Sequence, residues 1–254
     1  MQRGFYYLTG VVGIGPDDII LASYPRSGST WVRLILYHLL DSTEGIDRQL
    51  NFNTLDEIMV ELGGRNLLEP WDFQVLPRII KTHHSFRTLF HRAAGTVGIV
   101  RDPRDVMVSY FHFHRDYSGR YQGSFSDFLR NPVWGLKNWF EYYISWHVHW
   151  DLVLRYQSLR SDAAAEITRL LDFLGLEFKP EIVQQAVASS SFSRIHQLET
   201  DQDRPLDDNS RIARKGTVRQ WVDYFKENDL AYYQELWQDF GLTSFAPEEI
   251  GSDN

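Results

Sequence analysis

The stretch YPRSGSTW, residues 24–31, contains residue types that can bind an anion. Gly28 would let the backbone approach a ligand closely, and the amides and hydroxyls around it can donate hydrogen bonds to phosphate oxygens. Arg26 adds a fixed positive charge. The pattern predicts a phosphate-binding turn, and an ordinary turn between two buried elements is the alternative. An ATPase or kinase of the Walker A type is disfavoured, because the spacing GxxxxGK followed by Ser or Thr does not occur in the chain.

Further basic residues occur in short groups, although the chain as a whole is acidic, with a net charge of −8. This charge argues against a general nucleic-acid binder, which would usually present a basic face. Cations concentrated at a few turns favour a small anionic ligand, unless they simply pair with the 34 acidic residues. The groups are Lys81, Arg101 with Arg104, and Arg211 with Arg214, Lys215 and Arg219.

Short apolar runs alternate with amphipathic segments, and these are the predicted strands and helices that must position the basic groups. This alternation is typical of an α/β fold with a central, mostly parallel sheet and helices on both faces. The turn at 24–31 then lies at the carboxyl end of a strand, where open α/β sheets bind ligands. We predict strands at 18–25, 78–84, 95–102 and 151–156, helices at 29–40, from Pro103 onward, and at 139–150, 162–176, 180–189 and 230–241, and loops over a site at 41–70, 115–137 and 197–213.

Length and composition favour one domain over residues 1–254, with a short flexible tail at about 246–254. The chain has no cysteine, which excludes disulfides, thiolate metal sites and a cysteine nucleophile. It also lacks an apolar run of about 18 residues and an obvious signal peptide, so we expect a cytoplasmic protein without a membrane span.

The octapeptide resembles YPKSGTTW, the phosphosulfate-binding loop of the cytosolic-type sulfotransferases. Other motifs of that family follow in the same order, and together they cover most of the chain. The chain is therefore identified as a member of this family, and Arg26 in place of the usual Lys resembles bacterial members. The further motifs are KTHH (81–84), VRDPRDVMVSYFHF (100–113), LRYQSLRSD (154–162), SSSFSRI (189–195) and RKG (214–216).

The resemblance implies a P-loop-like sulfotransferase fold and the donor 3′-phosphoadenosine 5′-phosphosulfate (PAPS), with 3′-phosphoadenosine 5′-phosphate (PAP) as product and no metal. It also implies three groups of donor-binding residues. These are Arg26, Ser27, Gly28, Ser29 and Thr30 for the 5′ end, Arg101, Ser109, Arg214, Lys215 and Gly216 for the 3′-phosphate, and Trp31, Tyr156, Ser190 and Phe192 for the adenine.

The same resemblance makes His83 the general base that takes the proton of the acceptor hydroxyl. Arg26 and Lys81 would steady the charge on the leaving phosphate. His84 is the alternative base, or a residue that lines the acceptor site. The pair His112 and His114 is not expected to hold a metal, because residues two apart do not face one way on a helix.

The expected acceptor is a small, partly hydrophobic hydroxyl compound. Two alternatives stay open: a non-catalytic protein that binds 3′-phosphoadenosine nucleotides, and a carbohydrate sulfotransferase. The family's Gly-Asp-Trp appears here as Arg219-Gln220-Trp221, which leaves the conformation of the closing loop open. The family's dimer segment is not recognisable, so the oligomeric state is open too. The aromatic residues that favour an apolar acceptor are Tyr110, Phe111, Phe113, Tyr117 and Trp134.

Overall fold

Four parallel strands form the sheet of this protein, in the order β2-β1-β3-β4. The structure is a computed structural model and describes residues 12–200 and 216–242. β1 lies between β2 and β3, with Ile20 opposite Ile80 on one side and Thr96 on the other. The predicted α/β class with a parallel sheet is confirmed. The strands are β1 (Ile19–Ser23), β2 (Ile79–Thr82), β3 (Gly95–Val100) and β4 (Leu152–Arg155).

Helices connect the strands and follow the last one. As predicted, one of them begins at Pro103, with the Asp102 carboxylate accepting a hydrogen bond from the Arg104 amide at its start. The α-helices in the described residues are α1 (Ser29–Glu44), α2 (Phe52–Ile58), α3 (Pro103–His112), α4 (Phe125–Leu129), α5 (Leu136–Trp146), α6 (Tyr156–Ser161), α7 (Ala163–Phe173), α8 (Pro180–Ser189), α9 (Phe192–Thr200) and α10 (Glu227–Asp239). Short 3₁₀ turns lie at Thr88–Arg92 and Gln220–Asp223, and a π turn at Phe113–Tyr117 follows α3.

Both faces of the sheet are buried, as expected for a parallel sheet. Ile19 and Leu21 point to one face and belong to the core formed with α1, α2, α7 and α8. Ile20 and Ala22 point to the other face, whose core includes residues of α3, α4, α5 and α10. In the ranges that the structure describes, no helix is both long enough and apolar enough to cross a membrane.

The segments predicted as loops contain short helices. α2 lies within 41–70, where the Asn51 side chain accepts a hydrogen bond from the Thr54 amide, and α4 lies within 115–137 behind a similar Ser124 cap. Such helices are too short to show a clear 3.6-residue period, because they span only one or two turns. In the third segment, α9 extends to Thr200, and residues 201–213 lie outside the described residues. Tyr156 also begins α6 instead of ending a strand.

An ion pair ties β1 to β2 at the end of the sheet where the strands begin. The Arg78 guanidinium donates two hydrogen bonds of 2.8 Å to the Asp18 carboxylate. It also donates to the carbonyls of Gly13 and Leu67. Both side chains are mostly buried, with 12% of Arg78 and 6% of Asp18 exposed. Asp18 therefore depends on Arg78 for its charge balance.

We expect the substitution Arg78→Met to lower the free energy of unfolding by about 3–5 kcal/mol, because it leaves a buried carboxylate without its cation. Urea unfolding with a fitted m-value measures the loss. The matched control is Arg48→Met, whose ion pair with Glu57 is 61% and 58% exposed. That change should cost no more than about 1 kcal/mol. Equal losses in the two variants would contradict this account.

Candidate active site

The turn that follows β1 has a backbone conformation that suits a bound anion. Gly28 has φ 109° and precedes α1, whose first amides, those of Ser29 and Thr30, have no helical carbonyl one turn back. A Cβ atom on Gly28 would lie 2.8 Å from the ring of Tyr156, so glycine is required here. The Ser27 hydroxyl is buried and has no hydrogen-bond partner within the described residues. The turn therefore offers several donors to a ligand.

Arg101, which follows β3, holds this turn in place. It donates hydrogen bonds to the Arg26 carbonyl at 3.1 Å and to the Thr217 carbonyl at 3.3 Å. Its guanidinium lies 4.2 Å from the centre of the Tyr156 ring. The Arg26 side chain turns toward α3 and donates from Nε to the Ser109 hydroxyl at 3.1 Å. Two guanidinium groups and a hydroxyl thus converge beside the turn.

Three aromatic rings lie beside these groups. The Trp31 ring is 6.5 Å from Tyr156 and 5.9 Å from Phe192, both edge-on. Gly216 has φ 61° and packs so closely on the Phe192 ring that a Cβ atom would overlap it. The rings form an apolar slot with edges and faces that suit a planar heterocycle.

His83 follows β2 and is fixed by the backbone of β1. Its Nδ1 donates to the Ser23 carbonyl at 2.6 Å, because a carbonyl oxygen can only accept. Nε2 of the neutral ring therefore keeps its lone pair. Burial and the nearby charge of Lys81 lower the pKa of His83 to about 3. The imidazole is thus neutral near pH 7, and Nε2 is its unprotonated nitrogen.

Lys81 lies two residues earlier and is 8% exposed. Its Nζ is 3.1 Å from the Glu61 carboxylate. Burial lowers the pKa of Lys81, and the charge of Glu61 opposes this effect. The ion pair therefore places near His83 an ammonium whose charge is balanced by the Glu61 carboxylate.

A cavity of about 520 Å³ connects these features. Ser27 is not among the lining residues, and its hydroxyl is buried. Ser190 is not among them either, and its hydroxyl donates to the Ala186 carbonyl at the end of α8. Arg214 and Lys215 lie outside the described residues. The predicted residues that line the cavity are Arg26, Gly28, Ser29, Thr30, Trp31, Lys81, His83, Arg101, Ser109, Tyr156, Phe192 and Gly216.

Aromatic side chains form a further wall of the cavity. Of the predicted aromatic residues, Tyr110, Phe113 and Tyr117 line it, whereas Phe111 and Trp134 pack in the core. His84 lies outside the lining, and its carbonyl accepts a hydrogen bond from the Trp146 indole. Of the two adjacent histidines, His83 lines the cavity and His84 does not.

His112 and His114 point in different directions, as the helical spacing predicts. His112 bonds to Asp116 at 2.6 Å and to the Tyr224 hydroxyl at 2.7 Å. His114 is also buried and stacks on Trp134. Across the part of the chain that the structure describes, no group of three His, Cys, Asp or Glu side chains could hold a metal ion.

Several lining residues were missed by the sequence analysis. Arg33 is a lone cation within the apolar segment WVRLILYHLL. A charged residue in such a segment could have indicated a buried ion pair or a site residue. Its buried guanidinium donates to the Asp56 carboxylate at 2.6 Å. The other missed residues fall in segments predicted as loops, or beside them, where periodicity gives no signal. The missed residues are Arg33, Phe52, Asn53, Asp56, Glu61, Ile195 and Gln220.

The segment after Gly216 is tied to α3 by one buried carboxylate. Asp105 accepts hydrogen bonds from the amides of Arg219, at 2.7 Å, and Trp221, at 3.1 Å. The Arg104 guanidinium stacks on the Trp221 ring at 3.9 Å. These contacts hold in place the segment whose residues Gly216 and Gln220 line the cavity.

Comparisons with known proteins point to one family. The family model described as "Sulfotransferase domain" matches residues 16–244. Sulfotransferase 6B1 of Homo sapiens is 29% identical over an alignment of 223 positions, and the match covers 83% of this chain and 72% of the relative. Sulfotransferase 2A1 of Rattus norvegicus is 28% identical over an alignment of 256 positions, and the match covers 91% of this chain and 86% of the relative. Both relatives are mammalian, so the likeness to bacterial members stays a prediction.

Two solved structures share the fold. One is mouse sulfotransferase SULT7A1 complexed with PAP, with a TM-score of 0.70 and 21% identity, covering 98% of this chain and 94% of the other. The second is retinol dehydratase in complex with androsterone and inactive cofactor PAP, with a TM-score of 0.71 and 22% identity, covering 94% and 86%. At these identities the likeness shows the fold alone.

The substitution Asp105→Asn should speed amide hydrogen exchange at Arg219 and Trp221 by at least about tenfold, because a hydrogen bond to a charged acceptor contributes about 1.5–3 kcal/mol. The asparagine keeps the shape but replaces one acceptor oxygen with an NH₂ group. Exchange followed by NMR on the two amides measures the effect. Asp127→Asn, in the exposed cap of α4, is the control. Unchanged protection in Asp105→Asn would mean that other contacts hold the segment.

Proposed function

Because the chain belongs to the sulfotransferase family, we propose that it transfers the sulfuryl group of PAPS to a hydroxyl of a small, partly hydrophobic acceptor, with His83 as the base. One observation carries this proposal. The turn at 24–31 and His83, whose Nδ1 is bonded to the Ser23 carbonyl, line the same cavity. An anion held by the turn would therefore lie within reach of an acceptor whose proton His83 can take.

The donor-binding residues divide by the chemistry they offer. The turn that carries Arg26 and Gly28 would hold the 5′ end of the donor. Arg101 and Ser109, with the amide of Gly216, suit the 3′-phosphate, and the rings around Trp31 suit the adenine. The two structural neighbours are described as PAP complexes, and this supports the same nucleotide here. Arg214 and Lys215 stay predicted ligands of the 3′-phosphate.

The proposed reaction is an in-line displacement. The acceptor oxygen forms a bond to sulfur while the bond from sulfur to the bridging phosphate oxygen breaks. His83 Nε2 takes the acceptor's proton, and Arg26 and Lys81 neutralise the charge that grows on the leaving phosphate. The products are a sulfate ester and PAP. Arg26 acts through charge alone, because its guanidinium stays protonated.

The acceptor's class follows from the cavity wall beside the histidine. Phe52, Tyr110, Phe113 and Tyr117 give this wall an aromatic character. A ring or chain of apolar atoms would pack against them, and its hydroxyl would point to His83. The structural neighbour crystallised with androsterone shows that this fold can hold an apolar hydroxyl compound, which supports the assignment.

We expect His83→Ala to lower kcat by about 10²–10⁴-fold, because it removes the general base. Nucleotide binding should be kept, since the substitution changes none of the residues predicted to bind the donor. Transfer from labelled PAPS to a panel of phenols and alcohols measures the first effect. A thermal-shift titration with PAP, run beside AMP, measures the second.

The variant His84→Ala separates the two adjacent histidines and should keep most of the activity. PAP should raise the melting temperature more than AMP does in the wild type and in both variants. Wild-type protein that binds PAP but transfers nothing to any acceptor would favour the non-catalytic alternative. Full activity in His83→Ala would exclude His83 as the base.

The pH profile of kcat/KM should lack the fall toward acid pH that protonation of an ordinary histidine produces. The pKa of His83 is lowered from its ordinary 6.5 to about 3, so the imidazole stays unprotonated at pH values between these two numbers. We therefore expect kcat/KM, which reports the free enzyme, to show no fall centred near pH 6.5. Steady-state rates between pH 5 and about 8 test this expectation. An acidic limb centred near 6.5 would contradict it.

A further inference from the structure

Glu61 is placed beside Lys81 by the backbone as well as by charge. The segment around it runs along the outer edge of β2. The Lys81 amide donates to the Val60 carbonyl at 2.7 Å, and the Leu62 amide donates to the Lys81 carbonyl at 2.8 Å. Glu61 and Lys81 thus form a parallel bridge, and paired residues of neighbouring strands present their side chains on the same face.

The ion pair between them lies in the wall of the cavity. The Glu61 carboxylate is 3.1 Å from Lys81 Nζ. The Lys81 side chain is 10% exposed and that of Glu61 is 38% exposed, so the ammonium has little water to solvate it. Both residues line the cavity together with His83. A cation so poorly hydrated needs a fixed partner to stay charged.

Other charged or titratable groups also face Lys81. Arg33 approaches from α1 and Asp56 from α2, and His83 lies two residues further along the chain. Asp56 is bonded to Arg33 at 2.6 Å, which compensates much of its charge. Burial and Arg33 lower the pKa of Lys81, and Glu61 exerts the largest opposing effect. Glu61 is therefore the carboxylate on which the charge of Lys81 depends most.

We propose that Glu61 is a positioning residue for the sulfuryl-transfer reaction. Its carboxylate holds the Lys81 ammonium at the cavity wall and keeps it protonated until the donor arrives. The inference rests on the proposed function. Without Glu61, the Lys81 side chain would not be held in one rotamer when the donor binds. Its ammonium would also lose its proton more easily. Both effects would weaken the neutralisation of the leaving phosphate.

The test is Glu61→Gln, which keeps the shape of the side chain and removes its charge. We expect kcat to fall by about ten- to a hundredfold, the range that a misplaced catalytic group produces. The KM for the acceptor should change little, since the interaction matters in the transition state. The alkaline limb of the kcat profile should move to lower pH, because Lys81 loses its proton more easily. A merely structural role would not move that limb.

Two further variants make the result specific. Glu57→Gln, at an exposed ion pair on α2, is the matched control and should behave as the wild type does. In a Lys81→Arg background the cation stays protonated, so Glu61→Gln should no longer move the alkaline limb. An equal shift of the limb in that background would overturn the proposal.

A measurement that does not need turnover separates this inference from the proposed function. Titration of the Lys81 ammonium by NMR should show a lower pKa in Glu61→Gln than in the wild type, and an unchanged pKa would overturn the inference. If Glu61→Gln does not fold, Glu61→Asp keeps the charge and should keep the wild-type alkaline limb with a lower kcat. A shifted limb in Glu61→Asp would count against the proposal. Wild-type protein that transfers no sulfuryl group would instead refute the proposed function.

Discussion

The contact between Gly28 and the ring of Tyr156 is the constraint on which the rest of the site depends. It allows the turn after β1 to approach the start of α6 with no side chain between them. The same ring supports the Arg101 guanidinium from β3, and that guanidinium holds the Arg26 carbonyl. The carboxyl ends of β1, β3 and β4 are therefore joined at one point. The position of the amides that are proposed to bind the anion follows from this packing, and a larger residue at position 28 would disturb all three strand ends.

The charges of the site are arranged by their function within an acidic chain. Arg26 and Arg101 converge on the turn, where the donor's phosphates are proposed to bind. Lys81 is compensated by Glu61, and burial keeps His83 neutral. A protonated His83 would be attracted to the donor and could not take a proton. The cation at Lys81 lowers the pKa of His83, which helps to keep the imidazole neutral, and in the proposed reaction it would also supply charge for the leaving group.

Local signals in the sequence predicted where the helices after β1 and β3 begin. Pro103 after Asp102, and the turn before Trp31, have residue types whose backbone preferences depend little on the rest of the fold. The partners Asp56 and Glu61 could not be predicted in this way. α2 is too short for a periodic pattern, and the bridge of Glu61 with Lys81 is a tertiary pairing with no local signature. Ser190 stays a prediction from a matching motif, and in the structure its hydroxyl donates to the Ala186 carbonyl at the end of α8.

The closing segment after Gly216 contains a left-handed residue that is not glycine. The family has Gly-Asp-Trp where this chain has Arg219-Gln220-Trp221, and Arg219 has a left-handed backbone, with φ 61°, that glycine adopts readily. A residue with a side chain pays about 1–2 kcal/mol for that conformation. The two amide bonds to Asp105 and the stacking of Arg104 on Trp221 offset this cost. The loop is thus held by contacts with α3, so the glycine is not needed to place Gly216 against Phe192.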